Sequence, residues 1–256
     1  RDVHGPDRVL ELLPGLFREL PRLPYGMRVM TKEQGDNAEH YVPGAADGSR
    51  AGWFEANANN LRRTARWQMT TLLLHETVPG HHLQIARAQE VESLPAFRRN
   101  AFFVGYGEGW ALYAEALGER MGLYADPLDH FGHLDALLWR AVRLVVDPGL
   151  HALGWSRQRA FDYMRAHSAM GEDEITAELD RYLVMPGQAT AYLIGRLRIE
   201  ALRDKARAAL GERFDLRAFH NAVLDTGAVP LDVLDAIIGR WIEAQGGNPF
   251  IELTVP

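Results

Sequence analysis

Residues 72–84 read LLLHETVPGHHLQ, an apolar stretch that carries a His-Glu pair and, after Pro-Gly, two further histidines. Neutral imidazoles are ligands that zinc accepts, and a carboxylate beside them can take a proton from zinc-bound water. This segment therefore predicts a metal centre for hydrolysis. The alternative is a kinked core helix whose histidines only satisfy each other's hydrogen-bonding groups.

The spacing of these histidines excludes a regular helix as the metal site. His75 and His81 are six residues apart, about 240° around and about 9 Å along an ideal helix, too far for two ligands at about 2.0 to 2.1 Å from one ion. His82 lies about 10.5 Å along the same axis. Pro79 cannot donate to the carbonyl of His75 and crowds it, while the glycine that follows tolerates unusual backbone angles. We therefore predict a bulge at residues 78–80 that returns His81, or alternatively His82, toward His75.

A second acidic stretch follows at residues 105–115, GYGEGWALYAE. Glu108 lies among glycine, aromatic and alanine residues rather than among other charges, and Glu115 follows seven residues later on the same helix face. Two glutamates on a solvated helix are common, but that alternative fits this apolar setting poorly.

Four strings together resemble a bacterial family known as a domain of unknown function and grouped with gluzincin-like metallopeptidases: HETVPGHHLQ, EGWALYAE, VVDPGLHALGWSRQRAFDYM and MPGQATAYLIG. The family is more distantly similar to the carboxypeptidase Taq, oligopeptidase and angiotensin-converting-enzyme families. Their HETGH-like helix matches HETVPGH if Val78 and Pro79 are an insertion, and their ligand helix also carries a second glutamate seven residues after the first.

The resemblance implies a zinc-dependent peptidase that acts on a peptide substrate. In this interpretation His75, His81 and Glu108 hold zinc, and Glu76 is the general base. The alternative is a catalytically inactive relative that keeps the fold as a binding or structural module. The Val78-Pro79 insertion favours that alternative, whereas Glu76 argues against it, because a site that only holds metal needs no base.

Further candidates come from the C-terminal strings. Tyr192 resembles the tyrosine that related peptidases place over zinc to stabilise the oxyanion; its alternative is a core aromatic. His151, with Asp147 across a Pro-Gly turn, could donate to the oxyanion or form a structural pair. Arg196 could bind a peptide carboxylate or form a surface ion pair. His130, three residues before His133, could also bind metal, but no adjacent motif supplies a base.

The hydrophobic pattern predicts a mainly α fold, a helical zincin-like domain with a minor β element near the N-terminus. Residues 1–60 are interrupted by proline and glycine, and residues 26–30 and 53–57 could pair as strands. Residues 61–256 have helical periods, which predict helices at 157–167 with Ser156 as N-cap, and at 188–209, 216–225 and 231–245. A buried helix face, ended by Pro148-Gly149, is predicted from three- and four-residue spacing at Leu128, Phe131, Leu134, Leu138, Val142 and Val145.

Composition narrows the class of protein further. A net charge of -6 gives no sign of nucleic-acid binding, and a chain without cysteine must use histidine and carboxylate for any zinc site. No apolar run reaches the roughly 20 residues that a membrane helix needs. We expect a single catalytic domain, residues 1–256, from the C-terminal part of a longer protein. Its partner would be the missing N-terminal half or a second copy, and its location cytoplasmic, or secreted or periplasmic.

Overall fold

The computed structural model describes residues 6–34, 38–58 and 65–250, and these residues form a mainly α fold with one small sheet near the N-terminus. The predicted fold class is therefore confirmed. The described part contains eleven α-helices: α1 Pro6–Leu12, α2 Met69–Glu76, α3 His81–Glu90, α4 Ala96–Arg99, α5 Val104–Arg120, α6 Pro127–His151, α7 Arg157–His167, α8 Glu172–Val184, α9 Gln188–Leu210, α10 Leu216–Leu224 and α11 Leu231–Ala244.

The sheet contains the two predicted strands and one that was not predicted. Its strands are β1 Tyr25–Val29, β2 His40–Val42 and β3 Gly52–Ala56, in the order β1-β3-β2. The central strand β3 runs parallel to β1 and antiparallel to β2. At three residues β2 is too short for an alternating pattern to be recognised in the sequence.

Helix α5 lies at the centre of the fold and packs closely against α9. Trp110 and Tyr113 of α5 are fully buried in the main core, together with Phe219 of α10. Gly109 faces Gly195 of α9, where an added Cβ would lie 2.5 Å from the Cα of Gly195. The two backbones can approach this closely only because both positions lack a side chain.

Most of the predicted C-terminal helices are confirmed. Helix α7 spans the predicted residues 157–167, and the Ser156 hydroxyl accepts a hydrogen bond from the amide of Arg159 at 3.1 Å. Helices α9, α10 and α11 begin at the predicted residues and end within one residue of the predicted ends. Residues 61–64 and 251–256 of the predicted helical part lie outside the described residues.

The predicted buried face of α6 is confirmed at Val142, which is buried, and is wrong at the other five residues. These five form an exposed stripe, the α6 ridge, defined by Leu128, Phe131, Leu134, Leu138 and Val145. The opposite face is buried and carries Arg140, Arg143 and Asp147. The periodicity identified an apolar face correctly, but spacing alone cannot show whether another element covers it. The helix also continues through Pro148 to His151, so no Pro-Gly turn separates Asp147 from His151.

Candidate metal centre

The predicted interruption between the histidines is present. Helix α2 ends at Glu76, α3 begins at His81, and the Val78-Pro79 peptide bond is cis. The Pro79 carbonyl accepts a hydrogen bond from the indole of Trp110 at 2.8 Å, which ties the interruption to α5. A Cβ at Gly80 would overlap the carbonyl oxygens of Leu74 and His75. Glycine is therefore required where the chain turns back toward α2.

This turn brings His75 and His81 together, with ring centroids 4.8 Å apart and ring planes nearly perpendicular. Oε2 of Glu108 lies 3.4 Å from Nε2 of His75 and 3.4 Å from Nε2 of His81. Ligands at about 2.0 to 2.1 Å from a tetrahedral zinc are about 3.3 to 3.4 Å from one another. The two measured separations therefore match two edges of a zinc tetrahedron.

The hydrogen-bond geometry is compatible with a bound cation. Oε2 of Glu108 is buried and has no hydrogen-bond partner among the described residues, although two imidazole nitrogens are near it. A buried carboxylate oxygen without a donor is unfavourable. A divalent cation between the three side chains would satisfy it, so the donor set fits zinc.

Glu115 holds His75 from the opposite side. Its Oε1 lies 2.7 Å from Nδ1 of His75, and its Oε2 accepts a hydrogen bond from the Thr71 hydroxyl at 2.8 Å. Arg140 of α6 donates to Oε1 at 3.4 Å. With one proton on Nδ1, shared with Glu115, Nε2 of His75 is the nitrogen that faces Glu108 and that a metal would bind in place of a proton. This is the carboxylate–histidine arrangement that orients metal ligands.

Electrostatics in the cluster follow from these contacts. Burial lowers the pKa of His75, but contacts with Glu108 and Glu115 outweigh it and raise that pKa to about 9. Burial raises the pKa of Glu108, yet His75 and His81 hold it well below its usual range. Burial raises the pKa of Glu115, but Arg140 and then His75 outweigh it and lower that pKa to about 2. Both carboxyl groups are thus anionic at neutral pH, as a metal ligand and its partner must be.

Glu76 belongs to the same cluster. His75, Glu76 and His81 each offer a ligand atom, and these atoms lie within 4.8 Å of one another. Two carboxylates could therefore complete the centre. Glu108 is the stronger candidate ligand, because one of its oxygens is 3.4 Å from both imidazoles. Oε2 of Glu76 is buried without a hydrogen-bond partner among the described residues, so it can accept a proton from water.

His82 points away from this cluster. Its Nδ1 lies 2.8 Å from the hydroxyl of Tyr41 on β2, and its ring packs on Tyr25 of β1. Burial lowers the pKa of His82 to about 4, so the ring is neutral at physiological pH. The structure therefore places His81, and not His82, beside His75. The role of His82 is to dock α3 on the sheet.

Tyr192 lies next to the cluster. Its ring stacks on His75 with centroids 6.1 Å apart, and its hydroxyl accepts a hydrogen bond from the Gln188 amide at 3.1 Å. The Arg143 guanidinium lies over the Tyr192 ring, 4.6 Å from its centroid. Burial, and then Glu108, raise the pKa of Tyr192, which keeps its hydroxyl protonated as a hydrogen-bond donor.

Three other residues singled out in the sequence, His151, Asp147 and Arg196, bond to groups outside the candidate metal centre. Nε2 of His151 lies 2.9 Å from the carbonyl oxygen of Tyr182, and Asp147 accepts from the amide of Gly187. Both contacts link α6 to the α8–α9 segment, so the two side chains have structural contacts but not the Asp147–His151 pair considered from the sequence. Arg196 pairs with Glu200 one turn later at 2.9 Å, but the side chain is only 12% exposed, so this is not the surface ion pair considered from the sequence.

The two histidines of α6, His130 and His133, lie in different surroundings. His133 is buried, stacks on Tyr124, and lies 3.4 Å from the Thr71 hydroxyl, while His130 is exposed. His133 thus borders the Glu115 network and not the metal position. The sequence interpretation missed Thr71, Arg140 and Arg143 in this region. No local motif distinguishes these residues, because their contacts arise only when α6 packs on α2 and α5.

The fold and the cluster define a class: a mainly α protein with a small N-terminal sheet and a buried candidate metal centre of two histidines and a glutamate. The chain belongs to the bacterial protein family of unknown function DUF885, whose model matches residues 7–238. No curated protein matches it. No helix in the described part of the chain is long and apolar enough to cross a membrane.

Two solved structures are similar to this chain. A putative lipoprotein from Colwellia psychrerythraea is 39% identical with a TM-score of 0.90, over 93% of this chain and 41% of that one. A putative lipoprotein of unknown function from Shewanella oneidensis is 21% identical with a TM-score of 0.76, over 90% of this chain and 43% of that one, and shows the fold alone. The chain thus spans less than half the length of either solved relative.

Proposed function

We propose that this chain carries the catalytic centre of a zinc-dependent, gluzincin-like peptidase. The observation that supports the proposal most strongly is the position of Glu108 Oε2, 3.4 Å from Nε2 of both His75 and His81. Zinc held by these three side chains would leave one position open, polarise a peptide carbonyl and lower the pKa of water.

Glu76 has the position of a general base in this proposal. Its buried, unpartnered carboxylate oxygen is free to accept a proton from the attacking water and to return it to the leaving amine. An unpartnered buried carboxylate destabilises the folded state, and a site that only stores metal does not need one. Glu76 thus favours an enzyme over a catalytically inactive binding module.

Tyr192 is the candidate oxyanion donor. The hydroxyl stays protonated, and the ring contacts both His75 and Arg143. Removal of one oxyanion donor typically lowers the rate by about 10² to 10³. His151 is not part of the proposed mechanism, because its imidazole bonds to the Tyr182 carbonyl.

The substrate, the partner and the cellular location of the protein are also proposed. We infer a peptide substrate from the chemistry of the centre. The proposed partner is either a second copy or the region of the longer relatives that this chain does not span. Both solved relatives are described as putative lipoproteins, which supports an exported location over a cytoplasmic one.

The test compares the zinc-loaded parent chain with Glu76→Gln on a defined mixture of peptides, with products identified by mass spectrometry. Glu76→Gln keeps the shape of the side chain but removes the base, so zinc content should persist while hydrolysis falls by about 10² to 10⁴. Glu92→Gln, at an exposed position beyond α3, is the matched control and should match the parent. Equal rates in the parent and Glu76→Gln, or a parent inert on every peptide, would refute the proposal.

A further inference from the structure

Tyr192, the candidate oxyanion donor, is the end of a series of hydrogen bonds that starts on α8. Glu178 accepts two hydrogen bonds from the Arg181 guanidinium, at 2.7 and 3.2 Å. The same guanidinium donates to Oε1 of Gln188, and Nε2 of Gln188 donates to the Tyr192 hydroxyl at 3.1 Å. None of the four residues is exposed, and hydrogen bonds shielded from water are stronger than those on a surface.

Two features of the backbone place Gln188 beside Tyr192. Gln188 is the first residue of α9 and Tyr192 lies one turn later, so their side chains share one face of the helix. The Asp147 carboxylate of α6 accepts a hydrogen bond from the amide of Gly187 at 3.1 Å, which fixes the start of α9 against α6. Gly187 has a φ of 81°, in the left-handed region that glycine adopts readily. The amide group of Gln188 therefore has a defined position.

The direction of each hydrogen bond in this series follows from the donors that are available. A guanidinium carries only N–H donors and no acceptor, so Arg181 must face the oxygen of the Gln188 amide. The nitrogen of that amide, which only donates, then faces Tyr192. The Tyr192 oxygen is thus the acceptor in this contact, and the hydroxyl proton cannot be shared with Gln188.

The hydroxyl proton of Tyr192 is therefore left for an acceptor outside the series. Among the described residues, this hydroxyl accepts from Gln188 and donates no hydrogen bond. The Tyr192 ring stacks on His75, a proposed zinc ligand, and the residue is partly exposed. An oxygen of a substrate bound at the candidate metal centre would supply the acceptor that the protein does not.

We propose that Gln188, fixed by Arg181, is a positioning residue that directs the hydroxyl proton of Tyr192 toward a substrate oxygen at the candidate metal centre. The inference rests on the proposed peptidase function. Its physical basis is preorganisation, because a donor that is oriented beforehand needs no reorientation when negative charge develops on the substrate oxygen. Tyr192 contacts the substrate, whereas Gln188 and Arg181 act only through Tyr192.

The first arm of the test measures the contact without metal or catalysis. The side-chain amide signals of Gln188 are followed by NMR in the metal-free parent chain and are identified by their absence in Gln188→Glu. Tyr192→Phe removes the acceptor and should shift these signals, whereas the amide signals of Gln158, at an exposed position on α7, should stay unchanged. Gln188 signals that do not respond to Tyr192→Phe would overturn the proposal.

The second arm measures peptide hydrolysis by the zinc-loaded chain. Gln188→Glu keeps the shape of the side chain, but a carboxylate has no N–H to donate and accepts the Tyr192 proton instead. A carboxylate is also favourable in the first turn of a helix, so the variant should fold. Its kcat should fall by about 10²- to 10³-fold, as in Tyr192→Phe, with little change in KM or zinc content. Gln158→Glu is the matched control and should have the kcat of the parent.

A double variant separates positioning from a general effect of the added charge. Gln188→Glu combined with Tyr192→Phe should be as slow as Tyr192→Phe and no slower, because Gln188 acts through that hydroxyl. Effects that multiply in the double variant, or a parental kcat in Gln188→Glu, would overturn the positioning role while the parent remains an active peptidase. A parent that shows the NMR response yet cleaves no peptide would instead refute the peptidase function and leave the contact purely structural.

Discussion

Nδ1 of His75 lies 2.7 Å from Oε1 of Glu115, seven residues after Glu108 on the same helix. Seven residues are close to two helical turns, so one face of α5 presents one carboxylate to each nitrogen of the same imidazole. Glu108 approaches Nε2 and Glu115 approaches Nδ1. Helix α5 thus provides both a proposed ligand and the group that orients another ligand.

The first prediction concerns this positioning contact. Glu115→Gln replaces an anionic partner of His75 with a neutral one of similar shape, so zinc affinity should fall by about 10- to 100-fold. Competition with a calibrated chelator measures the change. Glu119→Gln, at an exposed position one turn further along α5, is the matched control and should bind zinc as the parent does. Unchanged affinity in Glu115→Gln would show that the contact has no role in metal binding.

The second prediction concerns the ligand set. The parent chain should bind one zinc, and His75→Ala, His81→Ala and Glu108→Ala should each lose it, because three protein ligands leave no redundancy. His82→Ala should retain zinc, since that imidazole bonds to Tyr41. Metal analysis after dialysis gives the stoichiometry. If Glu108→Ala keeps its full zinc and Glu76→Ala loses it, then Glu76 is the ligand and Glu108 is the candidate base.

The parts of the candidate site that could be predicted from the sequence are those determined by residues adjacent in the chain. Pro79 and Gly80 both disfavour a continuous helix, so the approach of His81 to His75 follows from a few adjacent residues. The same pair at Pro148-Gly149 lies inside α6, so the pattern alone does not decide whether a helix ends. Arg140 reaches Glu115 only through the packing of α6, and no spacing in the sequence indicates that contact. The α6 ridge shows the same limit, because a hydrophobic period reveals a face but not the surface that covers it.

The third prediction tests the turn between α2 and α3. In Gly80→Ala the new Cβ would overlap the carbonyl oxygens of Leu74 and His75, so the interruption must shift. Overpacking of this kind typically destabilises a protein by about 1 to 3 kcal/mol, and here it should also displace His81 and weaken zinc binding. Thermal unfolding and zinc titration measure the two effects.

The control for this substitution is Gly171→Ala. Gly171 precedes α8 with φ of -69°, and a Cβ there would have no neighbour within 4 Å. The variant should bind zinc equally and unfold within a few degrees of the parent, because the only cost is a less favoured residue at the N-cap of α8. If Gly80→Ala behaves in the same way, the close approach at the turn does not determine the position of His81.

The fourth prediction concerns stability at acidic pH. His220 is fully buried, with Nδ1 2.8 Å from the Leu16 carbonyl and Nε2 2.9 Å from the Tyr113 hydroxyl. Burial lowers its pKa from 6.5 to about 4. Between these values the unfolded chain binds a proton that the folded chain does not, so the contribution of His220 is complete above pH 6.5 and is lost as pH falls toward 4.

The expected loss is about 2 kcal/mol between pH 7 and pH 5 for this one histidine. Denaturant unfolding of the parent at both pH values measures the total change in the free energy of unfolding. His220→Gln cannot titrate, so its free energy of unfolding should fall less over the same interval, whatever its stability at pH 7. An identical fall in the parent and His220→Gln would mean that other groups cause the acid sensitivity.

The last prediction concerns the α6 ridge. Its five residues, each 37% to 60% exposed, extend over about 25 Å of one helix, and the aromatic ring of Phe131 contacts Trp67 at 6.1 Å between centroids. Apolar surfaces of this length on a monomer usually mark an interface. We therefore expect the chain by itself to associate with a second copy at micromolar concentrations, as sedimentation velocity would show.

Leu134→Gln combined with Leu138→Gln should shift the chain toward monomer while circular dichroism stays unchanged, because both side chains are exposed and glutamine favours helix. Leu10→Gln, at an exposed position on α1, should leave association as in the parent. A parent that stays monomeric throughout, or a double variant that associates equally well, would show that the ridge is not a self-association surface.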